Sequence, residues 1–416
     1  MRPSPIPALL LAVAIPCPGH AQSKLEVKGY ITRVASPSDF DIDGRRVVLT
    51  GETQITFDNP SPPKHITPPR NPYLGEPAQA SGSCDSATRT CTALTLTLNP
   101  RIPWVITGIG IIDAVPALPP GASPATDRIF RADGYRILIT PKTRMSFKKP
   151  LQSLSDIGAN VWIEYRGTRG LDGVITADLV QFRKNVISPG ELNLREKWEY
   201  DPTTPLAPGD RQSRLDKLVR GVDPSRFPPY KDAAMQARIA AVGSRLIPHY
   251  QADLPPSDPT RINFRFYLVD APKWHTAVPL PNGIILVPYP LVQRLTADSD
   301  LAVILADSVA WLLEEQPPPL PRTATDLATD APMLDPYLAA AALATRKTAS
   351  DPTVLLEDQR DRVSISLLHD AGYDIAQAPL TWWLLRAKDS AGLADTPLPS
   401  RAAYLYQFLG DTWPEP

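Results

Sequence analysis

The sequence predicts a multidomain α+β protein, with two small antiparallel β-barrels followed by a mainly helical domain that holds a small β-sheet. Three observations carry this prediction. The first half of the chain repeats itself, a polar Pro-rich stretch follows the repeat, and beyond that stretch apolar residues recur at helical rather than strand spacing. At 416 residues there is room for two or three such units.

The first element, residues 1–21, reads as a signal peptide. Arg2 precedes the apolar stretch PALLLAVAIP, and Gly19-His20-Ala21 supplies small residues at the two positions a signal peptidase reads. A soluble periplasmic or secreted protein is the expectation. The apolar stretch is too short and too broken by proline to span a membrane, and no later segment is long enough. Cys17 follows a short apolar run, as a lipoprotein acylation site does, but Pro16 stands where that signal needs a small residue. Past the cleavage site come Cys84 and Cys91, in CDSATRTC, flanking a polar turn. In an oxidising compartment this spacing predicts a disulfide closing a hairpin tip. A metal would need further His or Cys partners, and redox motifs use the tighter Cys-x-x-Cys.

The repeat is gapless over its central part. FDIDGRRVVLTGETQITF (Phe40 to Phe57) lies on FRADGYRILITPKTRMSF (Phe130 to Phe147), with Phe, Asp, Gly, Arg, Thr, Thr and Phe in register. GYITRV from Gly29 is echoed by GIIDAV from Gly110, and LGEPAQASG from Leu74 by IGANVWIEYRG from Ile157. Alternating apolar residues mark strands, and Asp43-Gly44 and Asp133-Gly134 mark hairpin turns. Short strands of this kind close most naturally as small barrels, here residues 24–101 and 104–185. The pattern resembles a bacterial family of exported OB-like β-domains of unknown function, and the resemblance implies a fold without a chemistry. As binding modules for nucleic acid the barrels would need exposed aromatic platforms and a basic groove. Only Tyr30, Tyr135, Trp162 and Tyr165 are available, and 43 Lys and Arg balance 44 Asp and Glu. A nucleic-acid partner is therefore not expected, and the barrels read as adaptors or spacers.

Residues 186–210 form the linker, with SPGELNLREKWEYDPTTPLAPGD at its heart. In the final domain, 211–416, Leu215, Leu218, Val219, Ile239, Val242 and Leu246 recur at helical spacing. INFRFYLVDA then reads as a buried strand, and GIILVPYPLV as a strand running into a helix. A long helix follows in LAVILADSVAWLLEE. Asp298-Ser299-Asp300 is placed to cap and charge its start, and the proline run from Pro317 ends it.

Four segments of this domain, INFRFYLVD, AVPLPNGIILVPYPLVQRL, DLAVILADSVAWLL and EDQRDRVSISLLHDAGYD, resemble in order the HtpX-like zinc peptidases, the family of the CAAX prenyl protease and the BepA-like periplasmic peptidases. The resemblance covers about residues 210 to 385. It implies a zincin-like scaffold, in which two His at i and i+4 on one helix face bind zinc, a Glu between them is the base, and a Glu on a later helix is the third ligand. In this sequence the two His positions fall on Asp307 and Trp311, the base on Ser308 and the third ligand on Gln359. Asp361 and Arg362 of the last motif are retained. Trp311 has only an N–H to offer and Gln359 is a weak neutral ligand. Zinc is thus expected to be lost, with no metal or other cofactor and no catalytic residue left at these positions.

Two further readings attach to the domain. Ser308 lacks the glycine elbow of a nucleophile, although His249, His275 and His369 are available in the chain. The segment Thr276 to Gly283, with Ala277, Val278, Leu280 and Asn282, corresponds to the edge strand that holds substrate peptide in the resembled family. Backbone pairing of that kind needs no metal. Gly372 suits a helix C-cap, His369 a helix end, and Trp382-Trp383 the core. The expected function is that of an inactive pseudopeptidase binding a peptide or an envelope protein. The alternatives are an active HtpX-like metallopeptidase with an unconventional metal site and a purely structural envelope protein.

Overall fold

The computed structural model describes residues 22–57, 72–85, 90–99, 102–124, 126–187, 192, 195, 229–314, 356–386 and 397–413. Residues 1–21, read as a signal peptide, with Cys17, most of the Pro-rich linker, the positions Leu215, Leu218 and Val219, and the proline run from Pro317 lie outside the described residues.

The first barrel comprises β1 (Gln22–Ser36), β2 (Asp39–Ile42), β3 (Arg45–Phe57), β4 (Pro77–Asp85) and β5 (Thr90–Leu98), closed in the order β1-β2-β3-β5-β4. β1 is long enough to pair with two strands, taking β4 along its first half and β2 along its second. β3 and β5 run parallel and complete the ring. The second barrel comprises β6 (Val105–Ala114), β7 (Arg128–Ala132), β8 (Tyr135–Ile139), β9 (Arg144–Phe147), β10 (Val161–Arg169) and β11 (Val174–Lys184). Its order is β6-β7-β8-β11-β10, with β10 pairing back onto β6 and β9 continuing the line of β8 along β11. The two rings are the same, with β8 and β9 together standing where β3 stands.

Hydrogen bonds explain why particular residues recur. Both Asp-Gly turns have positive φ at each position, 44° and 77° at Asp43-Gly44, 54° and 72° at Asp133-Gly134, the backbone that tight hairpins require. Gly29 and Gly110 recur because these turns fold back onto them. A Cβ on Gly29 would lie 2.0 Å from the Asp43 carboxylate, and one on Gly110 would lie 2.9 Å from the Asp133 nitrogen. The repeated threonines pin β3 to β5 and the turn between β8 and β9 to β11. Thr53 Oγ1 donates to the Ala93 carbonyl and Thr143 Oγ1 to the Ala177 carbonyl, each at 2.7 Å. Cys84 and Cys91 face each other across β4 and β5 and are joined as a disulfide.

The remaining elements are α1 (Ala233–Arg245), α2 (His249–Asp253), β12 (Arg265–Val269), β13 (Val278–Pro279), β14 (Ile284–Pro288), α3 (Tyr289–Arg294), α4 (Asp298–Leu313), α5 (Leu356–Asp370), α6 (Gln377–Arg386) and α7 (Ser400–Thr412). The three strands form a sheet in the order β12-β14-β13, parallel between β12 and β14. Asp232 caps α1 by accepting from Met235 N at 2.9 Å. Gly372, at φ 72°, closes α5: its N–H bonds the His369 carbonyl and that of Tyr373 bonds the Leu368 carbonyl. The expected cap of α4 needs correction. Its N-cap is Ala297, and Asp298 and Asp300 are drawn instead to Arg238 and Thr381, leaving them to charge the first turn only. Among the described residues no helix is long and apolar enough to cross a membrane.

Apolar packing divides the molecule differently from its repeat. The first barrel has its own core, around Ile31, Phe40, Ile42 and Leu96. The second barrel shares one continuous core with the helices, in which Tyr135 of β8 meets Phe408 of α7 edge-on at 5.5 Å. A smaller cluster sits under β13 and β14.

Candidate functional site

Beyond its first turn α4 is apolar except at Asp307 and Ser308, as suits a helix through the middle of a core. From Leu301 to Leu313 every residue except Asp307 is buried. Helical periodicity puts Asp307 and Trp311 on one side of α4, and Glu357, Arg360 and Asp361 on one side of α5. The two sides meet, and the first turn of α7 adds Arg401.

Arg401 holds the cluster together. Its Nε donates to Asp361 Oδ1 at 2.7 Å, and its Nη2 donates to both Asp361 Oδ1 and Asp307 Oδ1. Glu357 Oε1 lies 3.7 Å from Arg401 Nη1, and Arg360 Nε lies 3.3 Å from Asp307 Oδ1. Each guanidinium also covers an indole. Arg360 lies 3.8 Å above the ring centre of Trp311, and Arg401 lies 3.4 Å above that of Trp382. Burial pushes Asp361 up to about 7 even with Arg401 beside it, and lowers Arg360 despite Asp307. For Arg401 burial also acts to lower the value, but Asp307, Asp361 and Glu357 together more than offset it, so the group is held firmly charged.

The next face of α5 belongs to the second barrel. Gln359 Nε2 donates to the Ile109 carbonyl at 2.7 Å and to Glu314 Oε2 at 3.1 Å. Arg362 reaches the Asp133-Gly134 turn, donating to the Asp133 carbonyl and carboxylate and, at 2.8 Å, to the Tyr404 hydroxyl. Arg131 of β7 joins Asp113 at 2.8 Å and also Asp370 at the end of α5.

The structure thus brings Asp307, Trp311 and Asp361 together and turns Gln359 away from them. Zinc does not fit this arrangement, since a catalytic site needs three acceptor ligands around an open position. Asp307 is engaged by two guanidiniums, Trp311 lies beneath one of them, and the Gln359 amide faces the barrel. Among the described residues no group of three or more His, Cys, Asp or Glu side chains could hold a metal ion. Ser308 is buried and donates to the Ile304 carbonyl one turn back, at 3.3 Å. His369 sits at the end of α5, its ring 4.8 Å from that of Trp413. Arg401 and Arg360 are the residues sequence reasoning missed. Arg360 lies inside the resembled last motif and three residues from Glu357, so its helical face was readable; Arg401 carries no local signal.

In the segment 276–283, Ala277, Val278, Leu280 and Gly283 are buried while Thr276 and Asn282 are half-exposed. β13 is the sheet edge and packs against α4. Asn282 Oδ1 accepts from Ile284 N at 3.2 Å, and Gly283 takes φ 87° with no room for a Cβ beside the Asn263 carbonyl. In the second barrel Trp162, Tyr135 and Tyr165 are buried, Trp162 donating from Nε1 to Asn185 Oδ1 at 3.0 Å. These rings belong to the barrel wall and its core. The chain matches no family model, and a search of curated proteins returns no similar sequence.

Proposed function

We propose that this is an exported pseudopeptidase: a zincin-like scaffold without catalysis, serving to bind peptide or protein segments in the cell envelope, with OB-like barrels built onto it. The observation that carries the reading is the commitment of Asp307 to Arg401 and Arg360 with Trp311 stacked beneath Arg360. A carboxylate and an indole held this way offer neither a metal seat nor a base. The ring order β1-β2-β3-β5-β4 with parallel β3 and β5 supports the OB-like part. The two-residue edge strand Val278–Pro279 beside α4 supports peptide binding by strand addition. A second reading, a structural envelope protein without a groove, draws support from the burial of Ala277, Val278 and Leu280.

Elemental mass spectrometry of the purified mature chain, followed by titration with zinc, tests the loss of catalysis. No bound zinc before or after titration is the expected outcome, and about one zinc per chain sinks the reading. Hydrogen exchange of residues 276–288 in the presence of an unstructured peptide mixture separates binding from the structural reading, because only a bound strand slows exchange there.

A further inference from the structure

Three carboxylates from two helices, Asp307 of α4 and Glu357 and Asp361 of α5, converge on a single guanidinium that arrives from a third. A flat indole, Trp382, lies against the face of that guanidinium. This is the equipment with which proteins recognise an arginine side chain: acceptors around the rim of the planar fork and an aromatic ring beneath it. One acceptor is left over, since Asp361 Oδ2 is buried without a hydrogen-bond partner. The rim contacts to the guanidinium nitrogens and the indole against its face suit a broad planar cation better than a point charge.

We propose that Asp307, Glu357, Asp361 and Trp382 form a guanidinium-binding site whose resident ligand is Arg401 of the chain's own last helix. α7 is anchored well enough to deliver it. Gln407 Nε2 donates to the Gly75 carbonyl at 2.7 Å, next to the first barrel. Arg136 and Arg169 of the second barrel donate to the Thr412 and Asp411 carbonyls at the other end of the helix. The inference does not depend on the peptidase resemblance; it concerns which ligand the cluster takes.

The test uses the full mature chain carrying Arg401→Ala, with methylguanidinium as probe and methylammonium and calcium as controls. The variant is expected to melt about 10 °C below the wild type, because it strands buried carboxylates. Low-millimolar methylguanidinium is expected to restore at least half of that loss, the controls little, and none of the three to raise the wild type. The double variant R401A/D361N is expected to lose the selective recovery. Equal action of methylguanidinium and methylammonium, or no recovery with either, would overturn the proposal. Should R401A not fold, Arg401→Lys decides, since it keeps the charge but loses the fork and the stack. Melting several degrees below the wild type is expected of it, and wild-type stability would overturn the proposal.

Discussion

Arg362 Nε donates to the backbone carbonyl of Asp133 at 3.0 Å, and the same guanidinium holds the Asp133 carboxylate. A helix is thereby fastened to the tip of a β-hairpin. Tyr165 adds its hydroxyl to that carboxylate at 3.0 Å. Burial pushes Asp133 up to about 6, with Arg362 and Tyr165 acting against it. The same repeat position in the first barrel, Asp43, is exposed. One turn motif thus makes an exposed hairpin tip in one copy and a domain joint in the other.

Removing the joint should cost far more than removing an exposed ion pair of the first barrel. Arg362→Ala leaves Asp133 buried with its cation gone and is expected to lower stability by about 3–5 kcal/mol. Arg33→Ala removes only the solvent-exposed pairs with Asp41 and Asp39 and is expected to leave stability almost unchanged. Urea denaturation of the two variants measures the contrast, and equal losses would contradict the assignment of Arg362 as the joint.

Gly121 and Gly134 separate backbone strain from crowding. Both have positive φ, so alanine at either is strained by about 1 kcal/mol. At Gly134 a Cβ would also stand 2.5 Å from the Arg362 backbone, whereas at Gly121 it would meet nothing within 4 Å. Gly134→Ala is therefore expected to cost at least about 2 kcal/mol more than Gly121→Ala. Chemical denaturation of both variants checks the order.

The disulfide should matter to one barrel only. Cys84 and Cys91 are seven residues apart, and opening so small a loop by C84S/C91S is expected to cost about 2 kcal/mol. Because the first barrel has a separate core, faster hydrogen exchange should appear in β4 and β5 and not in β6 to β11. Uniform acceleration throughout the chain would show that the barrels unfold as one.

Stability should fall as the pH rises through neutrality. Burial lifts Glu76 to about 8, with Asp411 adding to the shift and the Tyr73 backbone opposing it. Burial likewise holds Glu314 well above its ordinary value, with Asp133 and Asp113 adding and Ile111 N–H and Arg362 opposing. Folded values above the unfolded value of about 4.3 mean that the folded chain binds more protons in between. The stabilisation is whole below about pH 4 and is lost as pH climbs through about 8. Glu76→Gln keeps the shape without the charge, so its melting temperature should decline less than the wild type's between about pH 5 and 9. Parallel declines would remove Glu76 as a source.

The barrels were legible because the chain builds the same ring twice. An Asp-Gly pair acts within its own turn, whereas Thr53 meets Ala93 and Thr143 meets Ala177 from distant strands, so these letters stood out only because they recur in register. α4 was legible for a different reason: from Leu301 to Leu313 only Asp307 and Ser308 are polar, a run apolar enough to be read as core. Its start was misread because Asp298 and Asp300 found partners in α1 and α6, beyond the reach of a capping rule.

The sequence alone determined the tandem barrels, the disulfide and the central helix. Only the tertiary structure decided which residues surround Asp307 and Gln359. Arg401 is 94 residues from Asp307 along the chain, and Gln359 is 250 from Ile109. No periodicity connects residues so far apart. Their meeting follows from packing α5 between α4, α7 and the second barrel, where low polarity makes each buried charge seek whichever partner the fold brings within reach.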